Sequence, residues 1–185
     1  KEEPMRIISM GSRIFDAAEA TDGASLAAPR REARGVRRRL ARHRFRLTRI
    51  RNLIVANGLL SADELAHIFD GQLGDIYALR ARALEQKISE AELARVLLHL
   101  AQRRGFRSNR KADSKDKEAG ALLTAVANNR ARMQSGAYRT VGEMMAKDAA
   151  FAACKRNKSA NYLSTVSRDM IEDEAKQIFA AQRKC

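Results

Sequence analysis

Arg34, Arg38, Arg42 and Arg46 recur at every fourth position, and Arg37, Arg44 and Arg51 make a second row at every seventh. The chemistry of such a row is recognition rather than bond breaking. A planar guanidinium presents a fork of N–H donors that matches phosphate oxygens two at a time, which a lysine ammonium does not. Eleven of the 22 residues from Arg30 to Arg51 are Arg and one, Glu32, is acidic, so this segment carries +10 of the chain's formal +14. A second block, Arg103–Lys117, holds seven basic and two acidic residues and adds +5, which leaves the rest of the chain at −1. On a helix, like charges four apart repel by roughly 0.2–0.5 kcal/mol per pair. A polyanion relieves all of these repulsions together. A solvated basic face is the plain alternative. A membrane-surface helix is a weaker one, since Phe45 is the only aromatic ring of the segment apart from His43 and the chain has no Trp.

Within the second block, Arg103, Arg104, Arg107, Arg110 and Lys111 gather at a helix end and the loop after it. Basic residues at a helix C-terminus complement its macrodipole, which accounts for two of the five. Phe106 and Asn109 sit among them, and a ring or an amide suits an exposed base or a ribose. Other chemistries find little support. His43 lies on an apolar seam and reads as a packed histidine. His67 and His99 lack Cys or carboxylate partners at metal-ligand spacing. Asp63, Glu64, Asp70 and Asp75 read as helix caps and solvated surface. Tyr162 either anchors its loop or stacks on a base. Cys154 and Cys185 form no metal-spaced pair, and no disulfide framework is expected, which suits a reducing cytoplasm. No apolar run approaches the ~18 residues that a membrane span needs.

The elements that must position these residues read as helices. Ala33, Val36, Leu40, His43, Leu47, Ile50 and Ile54 alternate in steps of three and four, the narrow seam of one long helix. Pro29 suits its first position and Asn57-Gly58 its left-handed stop. Ser61–Glu64, Ser89–Glu92 and Thr140–Glu143 are capping-box patterns. The first should open a short helix ending near Gly71. The second should open a helix with Leu93, Val96, Leu97 and Leu100 inward and a stop at Gly105. The third should open one that runs to about Ala153. Asp75 can cap a helix carrying Ile76, Leu79 and Leu84. Lys117–Gln134 reads as a helix stopped at Gly136, and Ser167 can cap a last one through Ile171, Ala175, Ile178 and Phe179. Met5–Phe15 reads as one or two strands, and 16–25 as a polar connector. At 185 residues with 45% hydrophobic and 31% charged positions, the expectation is all-α. It consists of a long arginine-rich helix packed with a helical domain, plus a short N-terminal strand remnant.

The stretch Ser25–Ile54, SLAAPRREARGVRRRLARHRFRLTRIRNLI, resembles the bridge helix of type II CRISPR effectors, the RNA-guided DNA endonucleases of the CRISPR-associated protein nine family. Leu97–Lys111, Gly120–Asn129, Gly136–Met145 and Ser167–Lys184 resemble its compact type II-C branch in the same order. The resemblance implies three regions: 1–24 as the tail of the first RuvC segment with a connector, 25–58 as the bridge helix, and 59–185 as part of the helical recognition (REC) lobe. It implies RNA contacts at Arg34, Arg38, Arg42 and Arg46, with Arg37, Arg39, Arg49 and Arg51 next. Arg103, Arg104, Arg107, Arg110 and Lys111 would face the repeat–anti-repeat portion of the guide. The implied partners are a crRNA–tracrRNA guide and, in the full-length complex, target DNA; an anti-CRISPR inhibitor could dock on the same surface. The resemblance implies no cofactor and no catalytic residue in this stretch, because the metal-binding carboxylates of RuvC and HNH lie elsewhere in the family. The full-length nuclease would use magnesium. A stand-alone basic RNA-binding protein of ribosomal type needs the same arginines but not the ordered downstream matches.

Overall fold

The computed structural model describes residues 9–12, 23, 25, 27–70, 74–107, 117–157 and 161–184. Seven α-helices and no sheet occur among them: α1 (Ala27–Ala56), α2 (Ala62–Ala66), α3 (Ile76–Arg82), α4 (Glu90–Gln102), α5 (Lys117–Ser135), α6 (Val141–Lys147) and α7 (Arg168–Lys184). The chain divides into two compact units, Lys1–Arg42 and His43–Cys185, with the boundary inside α1. Most of the expected strand stretch, Met5–Phe15, lies outside the described residues, and 9–12 are in neither helix nor strand.

In the first unit, α1 starts two residues earlier than Pro29 suggests. The Ser25 hydroxyl accepts the Ala27 N–H at 3.3 Å and the Ser25 carbonyl accepts that of Ala28 at 2.8 Å. Pro29 therefore sits inside the first turn, where a missing N–H costs nothing. The seam residues Val36 and Leu40 are exposed here, Leu40 by 65%.

In the second unit, the stop of α1 is as the sequence predicts. Gly58 takes φ +68°, and the Leu59 N–H reaches back to the Ile54 carbonyl at 3.0 Å, closing a Schellman turn. Ile50 and Ile54 belong to a small apolar cluster with Leu60, Leu65, Ile68, Ala94 and Leu98. A larger core joins Leu79, Ala83, Val96, Leu100, Val141, Met144, Phe151, Met170, Ile171 and Ile178. Helix α4 therefore feeds two clusters. Ala94 and Leu98 face one, Val96 and Leu100 the other, and Leu93 and Leu97 are only half-buried. The inward set expected for α4 assumed a single buried face.

The caps at Ser61, Asp75 and Ser89 form as expected, with both halves of the box present at Ser61 and Ser89. Helix α2 stops at Ala66, short of Gly71, in a turn where His67 Nδ1 meets Asp70 Oδ2 at 2.7 Å. Thr140 supplies half a box. Its hydroxyl accepts the Glu143 N–H, but the Glu143 carboxylate accepts the Arg139 N–H at 2.9 Å and the Lys147 ammonium at 2.7 Å. Helix α6 ends at Lys147, not near Ala153, because Asp148 is extended and caps a separate 3-10 turn, Ala149–Phe151. Helix α5 closes on Ala137 at φ +51° instead of on Gly136, with the Tyr138 N–H bonded to the Met133 carbonyl at 3.0 Å. Phe179 is 43% exposed and lines an apolar groove with Leu53 and Leu97.

Candidate nucleic-acid interface

The site grows from the end of α4. The helix stops at Gln102, and Gly105 turns the chain at φ +79° so that Phe106 runs alongside Ser167 as a two-residue parallel bridge. The Phe106 N–H donates to the Val166 carbonyl at 2.7 Å, and the Phe106 carbonyl accepts the Arg168 N–H at 2.9 Å. Only glycine fits at 105: a Cβ there would lie 2.5 Å from the Ser167 carbonyl oxygen, and the positive φ disfavours any side chain. This fastening sets Arg104 and Arg107, from one strand of the bridge, beside Arg168 at the start of α7.

From the other side comes Arg46. Its Nε donates to the Ala101 carbonyl at 2.7 Å, satisfying one of the orphan acceptors at the end of α4. Burial lowers the Arg46 pKa below that of a free arginine, and the guanidiniums of Arg104 and Arg168 lower it further. Burial, Arg104 and Arg107 do the same to Arg168, with Glu172 opposing. A cleft of about 400 Å³ opens beside them, lined by Arg46, Arg103, Arg104, Lys155, Arg156 and Asn157. Among the described residues no salt bridge joins Arg46, Arg103, Arg104 or Arg168 to a carboxylate. Lys155 is committed otherwise, to Asp75 and the Tyr77 ring.

The far wall of the cleft is a loop held by a buried amide. Asn129, 1% exposed, donates to the carbonyls of Leu163 at 2.7 Å and Thr165 at 2.8 Å. Among the described side chains of α5 it is the fully buried one, and it fixes the run into Ser167. The arrangement can hold phosphate oxygens along a cationic groove. No group of three or more His, Cys, Asp or Glu that could hold a metal occurs among the described residues.

No protein-family model matches the chain. The CRISPR-associated endonuclease Cas9 of Campylobacter jejuni is 37% identical over 191 aligned residues, covering 94% of this chain and 19% of that protein. The chain is homologous to one part of Cas9. It spans about a fifth of the length of this relative. A crystal structure of Campylobacter jejuni Cas9 in complex with sgRNA and target DNA (AGAAACA PAM) matches with TM-score 0.69 and 36% identity, over 85% of this chain and 22% of that one. A second, with the AGAAACC PAM, matches with TM-score 0.71 and 35% identity over 93% and 23%. The cryo-EM structure of a St1Cas9–sgRNA–target DNA complex matches with TM-score 0.70 at 21% identity, over 92% and 19%, a likeness of fold.

In this Cas9 homologue the residues picked from sequence fall into separate groups. Arg34, Arg37, Arg38, Arg39 and Arg42 are exposed on α1 in the first unit. Arg49 and Arg51 are exposed in the second, while Arg46 is half-buried against α4. Arg103, Arg104 and Arg107 are exposed around the bridge; Arg110 and Lys111 lie outside the described residues. Arg156 and Asn157, which line the cleft, and Arg168 beside it had no signal of their own in the sequence, because the fold alone brings them there. His43 is half-buried. No described helix is long and apolar enough to cross a membrane.

Proposed function

We propose that this chain binds guide RNA as the bridge-helix and recognition-lobe portion of a type II RNA-guided DNA endonuclease. The α1 arginines hold phosphates of the guide's seed segment, and the cleft beside Phe106 holds phosphates of the repeat–anti-repeat stem. In effectors of this kind, base pairing reads sequence while the protein reads backbone and shape. The observation that carries the reading is the guanidinium cluster of Arg46, Arg104 and Arg168, assembled from three separate elements and joined by no salt bridge to a carboxylate among the described residues. A folded protein accumulates such unrelieved charge where an anion will sit.

Cleavage belongs, in this reading, to other parts of the endonuclease, together with their magnesium and their contact to target DNA. This chain contributes binding. The test is a binding titration with an RNA that carries a repeat–anti-repeat stem and a single-stranded 5′ extension, against a DNA duplex of equal charge. Tighter binding of the RNA, with no cleavage of either in magnesium, is expected. Equal binding of both would reduce the role to nonspecific charge attraction.

A further inference from the structure

We infer that Arg168 is a phosphate-binding residue that carries an RNA backbone across the Phe106 ridge, from the cleft of Arg46 and Arg104 into the adjoining cleft of Arg107. This deepens the proposed function and rests on it. Phe106 is the wall the two clefts share. The first is lined by Arg46, Arg103 and Arg104. The second, of about 430 Å³, is lined by Phe106, Arg107, Leu123, Val126 and Arg168, and by the acids Asp169 and Glu172. The backbone bridge between Phe106 and Ser167 fixes Arg168 in the second cleft, directly beside the shared wall.

Arg168 is placed where a structural role gives it little. It occupies the first position of the 17-residue α7, the positive end of the helix dipole, where a cation is unfavourable. Its Nε is buried with no hydrogen-bond partner, although such donors are almost always satisfied. The guanidiniums of Arg46, Arg104 and Arg107 are its close charged neighbours. Of the two acids that line this cleft, Asp169 is held by Arg130 at 2.6 Å, which leaves Glu172 as the opposing charge. A phosphodiester oxygen on the terminal Nη groups would satisfy the helix end and relieve the crowded guanidiniums together. The position is therefore costly when the protein is empty and favourable when RNA is bound.

That contrast gives the test. The whole chain is studied as Arg168→Gln, Arg168→Lys and, as a control for net charge, Lys176→Gln on an exposed face of the same helix. The probe is an RNA hairpin with a single-stranded 5′ extension of about ten nucleotides, a length typical of a seed. Without RNA, Arg168→Gln should melt at the wild-type temperature or higher. With RNA, its rise in Tm should shrink, its affinity should fall roughly tenfold, and its salt slope should flatten by about 0.7–0.9. Arg168→Lys should keep the slope and still bind more weakly. Lys176→Gln should bind as wild type. Wild-type affinity and slope in Arg168→Gln would overturn the assignment and leave the proposed function standing. Lower stability of Arg168→Gln without RNA would mark a structural arginine and overturn it as well. An absence of RNA binding in the wild-type chain would overturn the proposed function itself.

Discussion

Arg80 and Glu174, on α3 and α7, form a buried ion pair: Nε meets Oε1 at 2.7 Å and Nη2 meets Oε2 at 2.6 Å, with the side chains 1% and 0% exposed. The Gly142 N–H at the start of α6 donates to the same carboxylate at 2.9 Å. Three helices thus meet on two charges. Removing one partner leaves the other buried and unpaired, which typically costs about 3–5 kcal/mol, whereas replacing both by apolar groups costs far less. Glu174→Leu should therefore lower the urea midpoint more than Arg80→Met/Glu174→Leu together. A Cβ at Gly142 would lie 2.5 Å from Glu174 Oε1, so Gly142→Ala should also destabilise. Equal losses for the single and double variants would contradict this account of the junction.

His99 makes the same junction sensitive to acid. Its Nδ1 lies 3.2 Å from Arg80 Nη1, which can only donate, so the ring is neutral with Nδ1 as acceptor. Burial, with Arg80, Arg103 and Arg156 nearby, lowers its pKa from 6.5 to about 3. A histidine whose folded pKa lies below its unfolded one contributes stability above pH 6.5. That contribution is lost as pH falls from 6.5 toward 3, because the unfolded state takes up the proton first. His99→Gln keeps an acceptor for Arg80 and cannot titrate. Its stability should fall less steeply than wild type between pH 6.5 and 4, measured by chemical denaturation at stepped pH.

Gly105 tests whether the bridge positions the arginines. Gly105→Ala places a methyl against the Ser167 backbone at a φ of +79°. The strain is on the order of 1–3 kcal/mol. The variant should lose RNA affinity beyond its loss of stability, because Arg104, Arg107 and Arg168 no longer converge. Affinity at the wild-type level in a folded variant would separate the bridge from binding.

Ala137 is the converse case, a side chain where glycine is favoured. Its φ of +51° closes α5, and Ala137→Gly should raise stability by about 1 kcal/mol, read as a higher urea midpoint.

Local rules carried much of this fold in the sequence. A Ser or Asp followed by helix formers caps through atoms two or three residues away, so Ser61, Asp75 and Ser89 could be read directly. What failed were competitions between local partners and pairings that depend on distant ones. Glu143 left the Thr140 box because Arg139 and Lys147 hold its carboxylate. Arg80 and Glu174 look like ordinary helix-surface residues, and nothing in either neighbourhood marks a partner 94 positions away. Asn129 reads as helix surface until its amide is seen holding Leu163 and Thr165. In the site, the arginine rows were legible as charge and period. Their companions Arg156 and Arg168 were not, because single basic residues acquire meaning only once the chain has folded around them.

The central claim is that the α1 arginines bind RNA phosphates as individually placed contacts. The most direct measurement is RNA affinity across a salt series for Arg34, Arg38 and Arg42, each as Ala and as Lys, with Arg30→Ala as a control at the helix start. Each Ala variant should flatten the slope of log affinity against log salt by about 0.7–0.9. Each Lys variant should keep the slope and still weaken binding, having lost the guanidinium fork. Arg30→Ala should cost little. A loss at Arg30 as large as on the row, with Lys restoring full affinity, would contradict the account and leave only nonspecific attraction.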